Sequence, residues 1–277
     1  MPSLPTLAYT RLAEHAELPA LRAVLVRSFL DSPIGDWLIA DRGTRRAVYE
    51  RCFTLVLDHA FENGIVQTTA DLTAVALWYP TMEPAPDDPD FEARLEQAAG
   101  EYFQRYAIKM VTTAPHHPTD PHHHLAFLGV EPERQGEGIG TVLLREYLGV
   151  LDSTGTAAYL EATNPRNRAL YQRHGFVSAD PVYLPEGPPL WPMWRPGSDP
   201  AEHPVAAAVR RAGEQAGVER ATAVVDRSGL LVFGAAEDLP DDVKPAPRPV
   251  PSQRQSEGGP FINWGRWPQR NRRHVSE

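Results

Sequence analysis

Three glycines alternate with other residues in Gln135-Gly136-Glu137-Gly138-Ile139-Gly140-Thr141. Glycines so spaced let backbone N–H groups converge on one point. A helix starting just after them adds its unpaired N-terminal donors and its dipole. Such a loop binds a pyrophosphate without needing a basic side chain. The Gly-Lys-Ser/Thr of a nucleotide P-loop does not follow. The third glycine of a G-x-G-x-x-G dinucleotide fingerprint would fall at 141, which is threonine. A second conspicuous group is His116, His117, His122, His123 and His124. Zinc needs three or four converging ligands, and neighbouring residues on a strand point to opposite faces, so no metal site is expected. The single cysteine, Cys52, lies in a helical apolar pattern and reads as a small buried hydrophobe. One cysteine also excludes an internal disulfide framework.

The glycine loop needs a strand before it and a helix after it, and the sequence supplies both. Leu125 to Val130 is almost continuously apolar, as expected of a central strand. After the loop, Leu144, Leu148 and Leu151 recur at helical spacing. Ala157 to Thr163 reads as a strand, and Pro165 to His174 as a short helix closed by Gly175. Upstream, a strand is expected over Thr6–Arg11, followed by a helix with Pro19 in its first turn and Leu21, Leu25 and Phe29 on one face. A helix from about Thr44 to Glu62 stops at Asn63-Gly64. Ile65–Thr69 and Leu72–Tyr79 form a hairpin across Ala70-Asp71, and Asp90 to about Val111 is helical. Phe176–Tyr183 and Leu190–Arg195 make a last pair of strands. The alternation implies an α/β layer fold.

The spacing Gln135-x-x-Gly138-x-Gly140 resembles the pyrophosphate loop of the GNAT superfamily of acetyl-CoA-dependent N-acetyltransferases. About thirty residues further on, Asn164, Tyr171, Gly175 and Phe176 stand in register with the superfamily's next block. Pro115-His116, Pro118, Pro121, Ala74-Val75-Ala76-Leu77-Trp78 and Pro165-Arg166-Asn167 are similar to the puromycin N-acetyltransferase type. The resemblance covers roughly residues 6–196. It departs at His123 and His124, where that type tends to place aromatics, and this leaves the acceptor open.

The resemblance implies a GNAT fold, a central mixed β-sheet flanked by helices, that uses acetyl-CoA. Backbone at Leu128, Gly129 and Val130 would pair with the pantetheine arm. The loop Gln135, Gly136, Glu137, Gly138, Ile139, Gly140 and Thr141 would hold the pyrophosphate. Asn164 and Asn167 would contact the pantetheine or orient a water. Tyr171 would be the general acid, since a phenol with a pKa of about 10 can protonate a thiolate of similar basicity. Glu161 is the candidate base, with a structural hydrogen bond as the alternative. Glu131 is expected to be a solvated loop charge. His174 is expected to favour the dipole at a helix end. His122 or His124 is expected to line the acceptor pocket, built from segments 30–45 and 80–120. The acceptor is expected to be a small-molecule amine, an antibiotic amine among the candidates.

Residues 1–200 are thus expected to form the catalytic domain. An appended helix–hairpin is expected over 201–239, with Thr222–Val225 and Leu230–Phe233 flanking Asp226-Arg227-Ser228-Gly229. Proline makes up 28 of 277 residues, and the almost apolar-free stretch Pro240–Pro260 reads as a disordered tail. Phe261–Glu277 interleaves Trp264 and Trp267 with Arg266, Arg270, Arg272 and Arg273. Two alternatives to an enzyme follow: a non-catalytic acyl-CoA-binding module, or an interaction protein acting through this tail. The net charge of −9 argues against a general nucleic-acid binder. No apolar run spans a bilayer, the N-terminus lacks the features of a signal peptide, and a cytoplasmic bacterial protein is expected. Only Lys109 and Lys244 are lysines, against 25 arginines, a bias that reads as GC-rich codon usage.

Overall fold

A computed structural model describes residues 10–81 and 90–198, together with the backbone of two strands at 221–225 and 231–235. The chain begins with β1 (Thr10–Leu12), α1 (Leu18–Phe29), α2 (Pro33–Leu38) and α3 (Arg42–Asn63). A hairpin of β2 (Ile65–Thr69) and β3 (Ala74–Pro80) leads to α4 (Phe91–Ala99) and α5 (Phe103–Thr113). Then come β4 (His122–Val130), α6 (Ile139–Thr154), β5 (Ala157–Ala162) and α7 (Pro165–Arg173). Short strands β6 (Val177–Ser178) and β7 (Val182–Tyr183) precede β8 (Pro189–Arg195). The strands β9 (Ala221–Val225) and β10 (Leu231–Ala235) pair antiparallel with each other.

The main sheet runs β1-β2-β3-β4-β5-β8-β6, with β7 also on β8. Only β4 and β5 are parallel; the other neighbours are antiparallel. Alternation along β3 explains the layers. Val75, Leu77 and Tyr79 pack with α1, α3 and α4 on one face. Ala76 and Trp78 pack with Leu144, Tyr147 and Leu148 of α6 on the other. Trp78 is fully buried and stacks on Tyr147 with ring centroids 4.3 Å apart.

Several sequence expectations are corrected. Asp90–Val111 is not one helix; it breaks at Gly100, between α4 and α5. Helix α2 was not anticipated. It starts on a clear local signal, Ser32 capping Gly35 N before Pro33. The last strand pair is three strands, with β6 and β7 both on β8. Leu72 belongs to the hairpin turn, with a φ of 56°. The central strand begins at His122, because the histidines carry its first rungs. The expected helix at 205–216, the turn at 226–229 and the tail from 240 lie outside the described residues.

The corner between α1 and α2 is held by one buried cation. Arg45, 2% exposed, donates from Nε to the Ile39 carbonyl at 2.8 Å and from Nη2 to the Ala40 carbonyl at 3.1 Å. It also reaches the Leu30 carbonyl and pairs with Asp36 at 2.6 Å. These carbonyls lie in turns, where no helix or ladder partner serves them. Arg45→Met keeps the apolar stem and leaves them unpaired. We expect a loss of about 3 kcal/mol. A urea unfolding curve checks it; a change below about 1 kcal/mol would mean that water replaces the guanidinium.

Candidate active site

The site begins where the sheet opens. β4 and β5 share only the rungs His122–Ala157, His123–Ala158 and His124–Tyr159. Beyond them β4 runs on to Val130 and β5 to Ala162 without pairing to each other. On its other side β4 stays paired to β3 as far as Ala74–Val130. The register slips by one residue between Leu77–Phe127 and Trp78–Leu125, so Ala126 forms a bulge that bends β4 where the strands part.

A cleft of about 360 Å³ occupies this opening. Of the residues singled out in the sequence, Leu128, Val130, Gln135, Gly136, Gly138, Ile139, Gly140, Thr141, Asn164, Asn167 and Tyr171 line it. Gly138 caps α6 with a φ of 86°, a conformation that L side chains rarely adopt, and a Cβ there would meet only open space. Two residues of the set are turned elsewhere. Gly129 faces α1, where a Cβ would lie 3.0 Å from Ser28 Oγ. Glu137 is drawn to Arg134, whose Nε donates to it at 2.6 Å. The Asn164 side chain caps α7 by accepting from Asn167 N at 2.8 Å. Tyr171, on α7, is 7% exposed, and burial raises its pKa well above that of a free phenol.

Sequence reasoning missed three arginines of the lining, Arg134, Arg166 and Arg173. Arg166 stood inside a quoted motif, and its Nη2 would lie 3.7 Å from a Cβ at Gly136. It also missed the end of α1. There the Ser28 hydroxyl reaches the Val24 and Val130 carbonyls, at 2.6 and 3.0 Å. Glu131 is not a solvated charge. Its side chain is 13% exposed and accepts from Arg27 Nε at 2.7 Å.

A second cavity, of about 150 Å³, shares Phe29, Ser32 and Thr163 with the cleft and extends beneath α2, α3, α4 and α5. Glu161 stands in its wall, 11% exposed, 3.4 Å from Lys109 Nζ and 3.3 Å from the Tyr159 hydroxyl. Thus Glu161 and Tyr171 lie in adjoining spaces, not in contact. Cys52 is in the same wall, and burial pushes its thiol up to about 11, so it is no ready nucleophile.

His124 lines this second cavity; His122 does not. The alternation of β4 places His122 and His124 against His117 on one face, while His123 meets the Tyr147 hydroxyl at 2.8 Å on the other. No metal-ligating cluster exists among the described residues. Burial lowers the pKa of all four, to about 4 for His117 and His123. His174 is lowered too, first by burial and then by Arg173 and Arg195, which disfavours a charged partner for the helix end.

The open β4–β5 sheet with its glycine loop defines a GNAT fold. The Acetyltransferase (GNAT) family matches residues 72–176. An uncharacterized N-acetyltransferase of Schizosaccharomyces pombe is 25% identical over 58% of this chain and 71% of its own length. A Corynebacterium glutamicum structure described as histone acetyltransferase HPA2 and related acetyltransferase is 26% identical. It covers 70% of this chain and 98% of its own, with a TM-score of 0.54. Arylalkylamine N-acetyltransferase 2 of Aedes aegypti shares the fold at 12% identity and a TM-score of 0.50, over 69% of this chain and 99% of its own. Together these show the GNAT fold, and the family match over residues 72–176 is to acetyltransferases. No helix of the described residues is long and apolar enough to cross a membrane.

The neutral histidines make stability depend on pH. Their folded pKa lies below the unfolded value of about 6.5, so the unfolded chain binds more protons in acid. The contribution is whole above pH 6.5 and is lost as pH falls towards 4. Between pH 7.5 and 5.5, where carboxylates hardly titrate, His117 and His123 should each remove about 1 kcal/mol. Urea unfolding at the two values tests this, and His117→Gln should flatten the slope. Equal stability at both values would mean that the rings protonate in place.

Proposed function

We propose that the protein transfers an acetyl group from acetyl-CoA to the amine of a small molecule, by direct attack in a ternary complex. One observation carries the reading. The opened β4 edge joins the glycine loop at one end, passes Tyr171, and meets a separate cavity holding Glu161. The lining fits the co-substrate. An extended chain of amides suits the unpaired β4 edge, and phosphates suit the αL glycine turn beside Arg166 and Arg173. Acetyl-CoA supplies an activated thioester carbonyl and a thiolate leaving group.

The chain's own groups do the rest. Leu128, Val130 and the loop from Gln135 to Thr141 bind and orient the donor. Gly129 contributes backbone only, its α-carbon face being taken by Ser28. Tyr171, kept protonated by burial, gives its proton to the sulfur as the C–S bond breaks. Glu161 receives the acceptor amine and passes on the proton that amide formation releases. Neutral His124 stands in the same cavity as a further proton acceptor. The likeness to the puromycin N-acetyltransferase type at residues 74–78 and 165–167 supports a small-molecule acceptor, and the net charge of −9 suits a cationic one such as an amine.

Two substitutions test the reading. Gly138→Asp places a carboxylate on a strained backbone in the cleft. It should weaken acetyl-CoA binding tenfold or more, about 1.4 kcal/mol. Unchanged calorimetric affinity in the folded variant would reduce the loop to a turn. Tyr171→Phe keeps the ring and removes the proton. Single-turnover rates of thiol release should fall by about 10²–10⁴ with acetyl-CoA affinity nearly intact. A rate within threefold of the parent would reject the acid role. No thiol release in either form, with any amine, would instead indicate a binding module.

A further inference from the structure

The second cavity carries information about the acceptor that the sequence did not. Its walls include Phe29, Ile34, Leu38, Phe53, Phe127 and Leu190, with Phe127 set edge-on to both Phe29 and Phe53. Among the described residues of its wall, Lys109 and Glu161 are the only charged side chains, both at the β5 end. His124 adds no charge, since burial holds it neutral. The space is therefore apolar with one ionic pole, and that pole is next to Thr163, where the cavity meets the cleft.

The ionic pole is weakly closed. Lys109 Nζ stands 3.4 Å from Glu161 Oε2 and the Tyr159 hydroxyl 3.3 Å from Oε1, whereas a charge-assisted N–H···O bond is about 2.8 Å. A carboxylate so buried and so loosely held has capacity for a second, better donor. The residue opposite it is one of two lysines in a chain with 25 arginines. A guanidinium would grip the carboxylate through two parallel bonds; a flexible ammonium makes one contact that another ammonium can replace. An apolar cavity of about this size, 150 Å³, accommodates one benzene ring.

We infer that the acceptor is a primary monoamine with a single apolar group of about one ring, whose ammonium takes the place of Lys109 on Glu161. The inference rests on the acetyltransferase reading for its product but not for its binding step. An amine so placed lies at the mouth of the cleft, and its apolar group fills the space under α2 and α5. Polycationic amino sugars are excluded, because the walls would strip water from charges and hydroxyls without giving partners in return.

Calorimetry without acetyl-CoA, at pH 7.5, tests the binding step with 2-phenylethylamine, 2-phenylethanol, 2-aminoethanol and kanamycin. The expected result is saturable binding of 2-phenylethylamine at least tenfold tighter than the other three. Glu161→Gln should abolish the preference for the amine over the alcohol. Lys109→Met, which leaves Glu161 without its cation, should tighten amine binding severalfold. The opposite signs separate a direct role from general damage. Equal binding of amine and alcohol, or an amine preference that survives Glu161→Gln, overturns the inference. Acetylation of kanamycin but not of 2-phenylethylamine overturns it and leaves the acetyltransferase reading standing. Glu161-dependent binding of 2-phenylethylamine without thiol release from acetyl-CoA does the reverse.

Discussion

A strand that leaves its neighbour exposes backbone donors and acceptors that must find partners elsewhere. β4 makes this departure after His124, and β3 holds it from the other side along its whole length. The strand cannot slide back to heal the gap, and the bulge at Ala126 fixes the bend. Buried peptide groups left unpaired cost free energy comparable to a lost hydrogen bond. The cheapest replacement is another extended chain bearing amides. At the far end the opening is closed internally, where the Val130 carbonyl accepts from Ser28 and from Gln135 Nε2 at 3.2 Å. Between those limits, the sheet itself measures the length of chain it can receive.

That opening has to be held rigid by elements that do not span it. Helix α1 does this through short, directional contacts. Gly129 lets the helix approach until Ser28 reaches β4, and Arg27 fixes the following residue through Glu131. The same helix ends at Phe29, which belongs to both cavities. Arg45 then sets where α2 goes, and α2 forms a wall of the inner space. A distortion at Arg45 therefore propagates to the inner cavity, although Arg45 lines neither space.

Burial also sorts the protonation states. Tyr171 and the histidines at 117, 122, 123 and 124 are all pushed towards their neutral forms. An acid that is neutral before it acts suits the proposed transfer, in which sulfur gains a proton. The inner cavity keeps one ion pair, Lys109 with Glu161, in a wall that also holds neutral His124. In apolar surroundings such a pair is held less by its own attraction than by the lack of alternatives. An incoming ammonium is such an alternative, and it brings apolar surface that the walls can cover.

What the sequence showed and hid follows from the range of each interaction. The glycine loop and the Gly175 stop were legible because each is settled within a few residues by backbone sterics, whereas the role of Asn164 as the cap of α7 came only from the structure. The alternation of His122, His123 and His124 was legible too, since a strand fixes which faces they take. What depends on distant partners was not. Glu131 reads as an exposed loop carboxylate until α1 brings Arg27 to it, 104 positions away in sequence. Arg166 stands in the sequence only as the middle of Pro165-Arg166-Asn167 until the strands part beside it. Lys109 stands out in the sequence only as one of two lysines, inside a stretch read as helical. Only the tertiary fold brings it to Glu161 on β5, 52 positions away in sequence. Charges show this most sharply, because a local pattern says that a charge is tolerated and only the tertiary fold says what it meets.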